Sequence, residues 1–215
     1  MARDVTALDI AFVSDVACPW CAIGLASLEQ ALGRVKGEID VAVRIEPFEL
    51  NPDMGPEGAD IVSYIARKYG RSKEQIAQTQ SMIRERGAEV GFQFGPRDHV
   101  WNTFNAHRML HWAGLEGRAL DLKRALLRAY HGEGRNPGSP EVLVELAQSV
   151  GLDPARAKQV AEGREYEAEV RERERHWLQR GVNGVPLVVV NEEYGISGAQ
   201  PPEAYEQALR EIARK

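Results

Sequence analysis

The spacing of apolar positions along the chain changes period several times. Leu8-Asp9-Ile10-Ala11-Phe12-Val13 is a short, nearly unbroken apolar run, the pattern of a strand buried inside a sheet. Beyond Cys18 the period becomes helical, with Leu28, Ala31, Leu32 and Val35 at i, i+3, i+4 and i+7 and Gly37 ending the run. Val41, Val43 and Ile45 then alternate with Ala42, Arg44 and Glu46 up to Pro47, which predicts a second strand. Strand, helix, strand in this order is a βαβ unit, whose right-handed crossover makes the strands parallel.

From about residue 55 to 180 strand signals are absent and helical ones take over. Ser72-Lys73-Glu74-Gln75 has capping-box spacing ahead of Ile76 and Ile83. Leu122, Ala125, Leu126 and Ala129 form an apolar stripe, and Ser139-Pro140 opens a helix carrying Leu143, Leu146, Ala147 and Val150. Gly151-Leu152-Asp153-Pro154 turns into a further helix. Alternating charges between Arg164 and Arg180 predict a helix with a solvated face. The chain then returns to β, with Leu187–Val190 and Tyr194–Ser197 as a hairpin around Asn191-Glu192-Glu193. Pro201-Pro202 starts a last helix with Tyr205, Ala208, Leu209 and Ile212 on one face. With the helical stretch set aside, the order is β-α-β-α-β-β-α, that of a thioredoxin fold, an α/β class.

Composition narrows the function. At 215 residues and 43% hydrophobic, the chain can bury a sizeable core. Its net charge of −5 argues against nucleic acid, which requires a basic surface. No run approaches the length of a membrane span. Asp9 and Asp15 break the only early apolar stretch, so no secretion signal is read and a cytoplasmic location is expected.

The chain has two cysteines, both in Cys18-Pro19-Trp20-Cys21. A structural disulfide framework needs more of them, so a lone vicinal pair in a reducing compartment points to redox chemistry or metal. With Cys18 as N-cap, Pro19 takes the first helical position, where its missing N–H costs nothing. Cys21 then shares a face with Cys18 at i, i+3, within disulfide reach. A thiolate at a helix N-terminus meets unpaired N–H groups and the positive end of the dipole. Cys18 is therefore the expected nucleophile and Cys21 the resolving thiol. Trp20 is expected to be exposed beside the substrate. Asp15 and Glu46 are candidates for a carboxyl that relays the resolving thiol's proton, set against ordinary turn and strand-end roles. Asn102, Thr103 and His107 are weighed as a wall facing the dithiol against local capping and packing.

The competing reading is half of a structural zinc site completed from His99, His107, His111, His131 and His176. No second cysteine pair exists and the spacing is far from that of a zinc finger, so no metal is expected.

Gly184-Val185-Pro186 before a strand, with Ser14-Asp15, the dithiol and Ile23-Gly24, resembles the DsbA family of the thioredoxin superfamily. Pro47-Phe48-Glu49-Leu50-Asn51-Pro52, Asn102-Thr103 with Ala106-His107-Arg108, and Ser197-Gly198-Ala199-Gln200-Pro201 narrow the likeness to its FrnE-like cytoplasmic branch. The resemblance implies a thioredoxin-like domain of residues 1–54 and 163–215 interrupted by a helical domain, 55–162. It implies disulfide oxidase or isomerase activity on protein or peptide thiols without a bound organic cofactor, with glutathione or a thioredoxin-type protein as reductant. Cys18 and Cys21 become the redox pair and Pro186 a cis-proline facing them. Val185 offers backbone groups to an extended substrate, and Pro19 and Trp20 border the groove. Relatives usually carry an aromatic where this chain has Ala22, and fewer glycines than Tyr130–Gly138. The alternative function is a glutathione-dependent isomerase or transferase of a related branch, which keeps serine at the position of Cys18.

Overall fold

The first strand becomes the centre of the sheet. In the computed structural model, which describes residues 6–215, β1 (Thr6–Ser14), β2 (Ile39–Pro47), β5 (Leu187–Val190) and β6 (Tyr194–Ser197) are ordered β2-β1-β5-β6. Residues 1–5, part of the stretch read for a secretion signal, lie outside the described residues. β1 runs parallel to β2, with Thr6 opposite Ile39, and antiparallel to β5, with Ile10 opposite Val190. Flanked on both edges, β1 buries Ile10, Phe12 and Val13 completely, and each such side chain contributes roughly 1.5–3 kcal/mol. The three-residue β5–β6 loop holds Asn191 and Glu192 at φ 52° and 57°, and Glu193 N–H donates to the Val190 carbonyl (3.1 Å) to close the turn. Arg44 and Arg180 both pair with the Glu192 carboxylate there.

Helix α1 (Pro19–Val35) joins β1 to β2 and lies beside α9 (Pro202–Ile212). Leu25, Leu28, Ala31 and Val35 meet Tyr205 and Leu209 in one core with the sheet's Ile10, Phe12, Val188 and Val190. The expected β-α-β-α-β-β-α order is present, with α8 (Glu167–Gln179) leading into β5.

Between β2 and α8 come α2 (Ile61–Tyr69), α3 (Lys73–Glu89), α4 (Phe104–Leu115), α5 (Ala119–Leu127), α6 (Pro140–Ser149) and α7 (Pro154–Glu162). Ser72 caps α3 through a full capping box, and Ser139 and Asp153 cap α6 and α7. α5 continues into a π turn, Arg128–Gly132. This segment also carries a short antiparallel pairing of β3 (Ala59–Asp60) with β4 (His99–Val100), two residues a side and too short to show alternation in a sequence. Arg108, 2% exposed, donates from Nη1 to the carbonyls of Val160 and Glu165 (2.8 and 3.0 Å), fastening α4 to the end of α7. The solvated-face reading of 164–180 holds for Glu169, Glu172 and Arg175, which are exposed, but not for the opposite face. α8 buries Val170, Glu174 and Trp177, and Arg171 and Arg173 turn inward to pair with Glu49 and Glu46.

Candidate active site

Cys18 is the N-cap of α1 in extended conformation (φ −86°, ψ 115°), followed by Pro19 at the first helical position. Both cysteines are free and buried. Cys18 borders a groove of about 480 Å³ whose walls include Trp20, Leu50, Tyr64, Tyr69 and Val185. Cys21 is 0% exposed and lies inside. Trp20 is half-buried in the groove wall and not fully exposed.

The two thiols differ in acidity. The Cys21 side chain hydrogen-bonds Cys18 and lowers its pKa, outweighing burial, and the Cys21 and Trp20 backbone groups add to the effect. Burial pushes Cys21 well above the ordinary thiol range, its hydrogen bond to Cys18 and the Cys18 charge push further, and Lys123 draws it partly back. A low-pKa thiol at the groove and a high-pKa thiol behind it can divide the attacking and resolving steps.

The loop before β5 closes the groove. The Val185–Pro186 peptide is cis, and Cys18 Sγ lies 3.6 Å from the Val185 carbonyl, to which its thiol donates. Pro186 rests on Gly24, where an added Cβ would lie 2.9 Å from Pro186 Cγ. Gly198 N–H donates to the Pro186 carbonyl (2.9 Å), and Tyr205 Oη to the Gly198 carbonyl (2.9 Å). Gly24→Val should therefore lower the melting temperature by several degrees, because overpacking costs about 1–3 kcal/mol and a β-branched residue recovers only a few tenths of a kcal/mol of helix propensity over glycine. Exchange should slow with it, and an unchanged melting curve would show that the loop does not depend on this contact.

Behind the dithiol Asp15 is 0% exposed and fully bonded. Its carboxylate accepts from Ala17 N–H (3.1 Å), Leu50 N–H (2.7 Å) and Thr103 Oγ1 (2.8 Å), with His107 Nε2 at 3.3 Å. Burial opposes the Asp15 charge, but His107, Leu50 and Thr103 outweigh it and hold the carboxyl below the usual range. Thr103 and His107 thus serve Asp15 and do not border the groove. Glu46 stands apart from the dithiol in another cavity, held by Arg44 (2.8 Å), Arg173 and Trp177 Nε1 (3.2 Å).

Three buried groups take positions near the dithiol or in the core that the sequence patterns did not assign to them. Lys123 on α5 is 0% exposed and its Nζ has no hydrogen-bond partner among the described residues. Burial lowers its pKa, and the charges of Cys21, Asp15 and Cys18 partly restore it. Its position inside the stripe of Leu122 and Leu126 was the available signal. His131 donates from Nε2 to the Val16 carbonyl (2.8 Å) and accepts at Nδ1 from Arg97 (2.9 Å). Burial, then Arg97, holds it well below its usual pKa and so neutral. Glu49, pressed by burial and by Glu174, is raised to about 7. Among the described residues no three His, Cys, Asp or Glu gather as a metal-ligand set, and no helix is long and apolar enough to cross a membrane.

Residues 9–210 match a sequence profile described as a DSBA-like thioredoxin domain. A Bacillus subtilis protein, YwbO, is 30% identical over 206 residues, spanning 94% of this chain and 96% of that one. The crystal structure of a probable DsbA oxidoreductase from Streptomyces coelicolor superimposes with a TM-score of 0.91 at 35% identity, over 97% of this chain and 91% of its own. The cytosolic disulfide reductase DsbM of Pseudomonas aeruginosa, solved with GSH, shares the fold with a TM-score of 0.67 at 20% identity, over 96% of this chain and all (100%) of its own.

Proposed function

The chain belongs to the DSBA-like thioredoxin domain family, and from that membership we propose that it is a thiol–disulfide oxidoreductase acting on protein or peptide thiols through Cys18 and Cys21. The observation that carries this reading is the asymmetry of the pair, an acidified thiol facing a groove backed by a buried thiol of raised pKa.

In the oxidising direction a substrate thiolate attacks Cys18 Sγ of the Cys18–Cys21 disulfide. The S–S bond breaks and Cys21 leaves as a thiolate, which takes up a proton. A second substrate thiolate then attacks the substrate sulfur of the mixed disulfide, releasing a substrate disulfide and the Cys18 thiolate. A disulfide oxidant restores the enzyme, and the reverse sequence reduces or isomerises substrates. Val185 would pair with an extended substrate chain by strand addition beside Pro186, with Pro19 and Trp20 at its flank.

Lys123 is the group we assign to the resolving proton. Asp15 is held as a bonded carboxylate and Glu46 is engaged by two arginines, so neither candidate from the sequence is as free to exchange protons. Lys123 carries an unpartnered Nζ in the field of Cys21. The helical segment 55–162 serves as the substrate-facing insertion domain. The protein works in the cytoplasm as a FrnE-like enzyme without a bound organic cofactor. Glutathione or a thioredoxin-type protein is its reductant.

The direct test is thiol alkylation against pH. Cys18 should react with iodoacetamide with a midpoint below that of a free thiol, so that its rate holds on acidification until that lower value is passed. Cys21 should stay protected across the same range. Two thiols reacting alike, with ordinary midpoints, would remove the proposed division of labour.

A further inference from the structure

Resting on that redox reading, we infer that the groove beside Cys18 selects carboxylate-bearing thiols, with an acidic peptide segment as the intended occupant. Between Asp60 and Glu74 the chain carries Arg67, Lys68, Arg71 and Lys73 and no acid, within a protein of net charge −5. The charged residues lining the groove are Arg71 and Arg97, both cations. Elsewhere surface arginines such as Arg34, Arg135, Arg156 and Arg210 are neutralised by glutamates. Arg67 and Lys68 do not line the groove but sit behind its wall residues Tyr64, Leu50 and Asn51, and with the lining Arg97 they make contacts other than ion pairs. Arg67 lies over the Tyr64 ring at 5.9 Å, and Lys68 donates to the Leu50 carbonyl and Asn51 Oδ1 (2.8 and 2.6 Å). Arg97 lies over Tyr130 at 4.8 Å and bonds the neutral His131.

The neighbouring carboxylates are turned to other tasks. Asp60 accepts from Ser63 N–H to cap α2, Glu74 is held by Ser72, and Asp98 lies against His99. Asp53 is the acid that faces Tyr64, and it forms no ion pair with these cations. Asp15 acts on Lys68 and Asp60 on Lys73 only at longer range, and positive charge that closes no ion pair, on an aromatic wall beside the reactive sulfur, raises the local concentration of anionic partners. Tyr69 faces Cys18 closely enough for the thiolate charge to raise the tyrosine's pKa, after burial. The segment that carries the cations therefore reaches the point of reaction. Tyr64, Tyr69 and Trp20 supply the apolar body of the site and the cations supply its sign.

Rates of disulfide exchange with three otherwise identical peptide disulfides test this, with cysteine flanked by glutamates, glutamines or lysines. At low salt the acidic peptide should react about tenfold faster than the neutral one and the basic peptide slowest, within the range that electrostatic steering supplies. The advantage should shrink as salt screens the charges. In Arg67→Glu/Arg71→Glu the acidic-to-basic rate ratio should invert, and because a ratio is read, a general loss of activity does not imitate it. Glutathione disulfide against the uncharged hydroxyethyl disulfide forms a second arm. The same preference there assigns the carboxylates to a small tripeptide as well, and its absence restricts them to a peptide chain. Equal rates for all three peptides in the wild type, insensitive to salt, overturn the inference and leave the redox reading standing. No exchange with any disulfide removes the redox reading itself.

Discussion

Cys21→Ser turns the protein into a trap. Cys18 should still attack a substrate disulfide, but with no second sulfur behind it to break the mixed disulfide that forms, adducts should accumulate to near stoichiometry while turnover falls to background. Serine is the substitution of choice because the Cys21 thiol hydrogen-bonds Cys18 and is the largest influence lowering its pKa. A hydroxyl can still donate there, whereas Cys21→Ala would also weaken the nucleophile. Cys18→Ser removes the attacking sulfur and should give neither adduct nor turnover, with the double variant no worse, since residues acting as a unit are not additive. Non-reducing electrophoresis followed by mass spectrometry of the thiol-released partners reads the result. Wild-type turnover in Cys21→Ser would show that the buried thiol takes no part.

The residues of the site were legible to very different degrees. Cys18 and Cys21 announced themselves because a proline between them, at a strand-to-helix junction, fixes where the helix starts, and that start sets the sulfur environment. The sheet was legible because each strand carries its own alternation or β-branched run. The β1–β2 and β5–β6 pairings followed from their connections, whereas the antiparallel pairing of β1 with β5, Ile10 opposite Val190, had no signal in the spacing. Asp15 and its ring of donors could not be assembled from spacing, since Leu50 and Thr103 lie 35 and 88 residues away along the chain. What brought those segments forward was the family likeness, and the structure supplies its reason. The motif around Leu50 and the one around Thr103 and His107 converge on one buried carboxylate.

The charged run on α8 was legible only on its solvated face, Glu169, Glu172 and Arg175, for a related cause. Arg171, Arg173 and Glu174 look like a solvated ladder until the partners Glu46 and Glu49 at the end of β2 are placed opposite them. A periodic pattern reports what a helix offers to its own neighbours and says nothing of which distant acid will claim its arginines.

Lys123→Met should make the protein more stable and less active. An unpartnered buried lysine pays the desolvation of its charge with no hydrogen bond in return. Methionine fills similar space without that penalty, so the melting temperature should rise. The resolving step should fall by about 10²-fold near neutral pH, the scale on which a positioned proton partner contributes. Lys123 is the side chain that lowers the Cys21 pKa against burial and the charge of Cys18. Without it less Cys21 thiolate forms at a given pH, and the pH-rate profile for resolution moves upward. Alkylation of Cys18 should keep most of its rate, because its acidity is set chiefly by Cys21 and the backbone groups of Cys21 and Trp20. Lys123→Arg keeps a cation but cannot give up its proton, so it should retain a favourable charge while failing to restore the proton-exchange component. Stopped-flow release from a preformed mixed disulfide at Cys18, followed from pH 6 to 10, separates these effects. If Lys123→Met resolves at the wild-type rate with an unshifted profile, the lysine is a packing residue and the proton of Cys21 travels by another route.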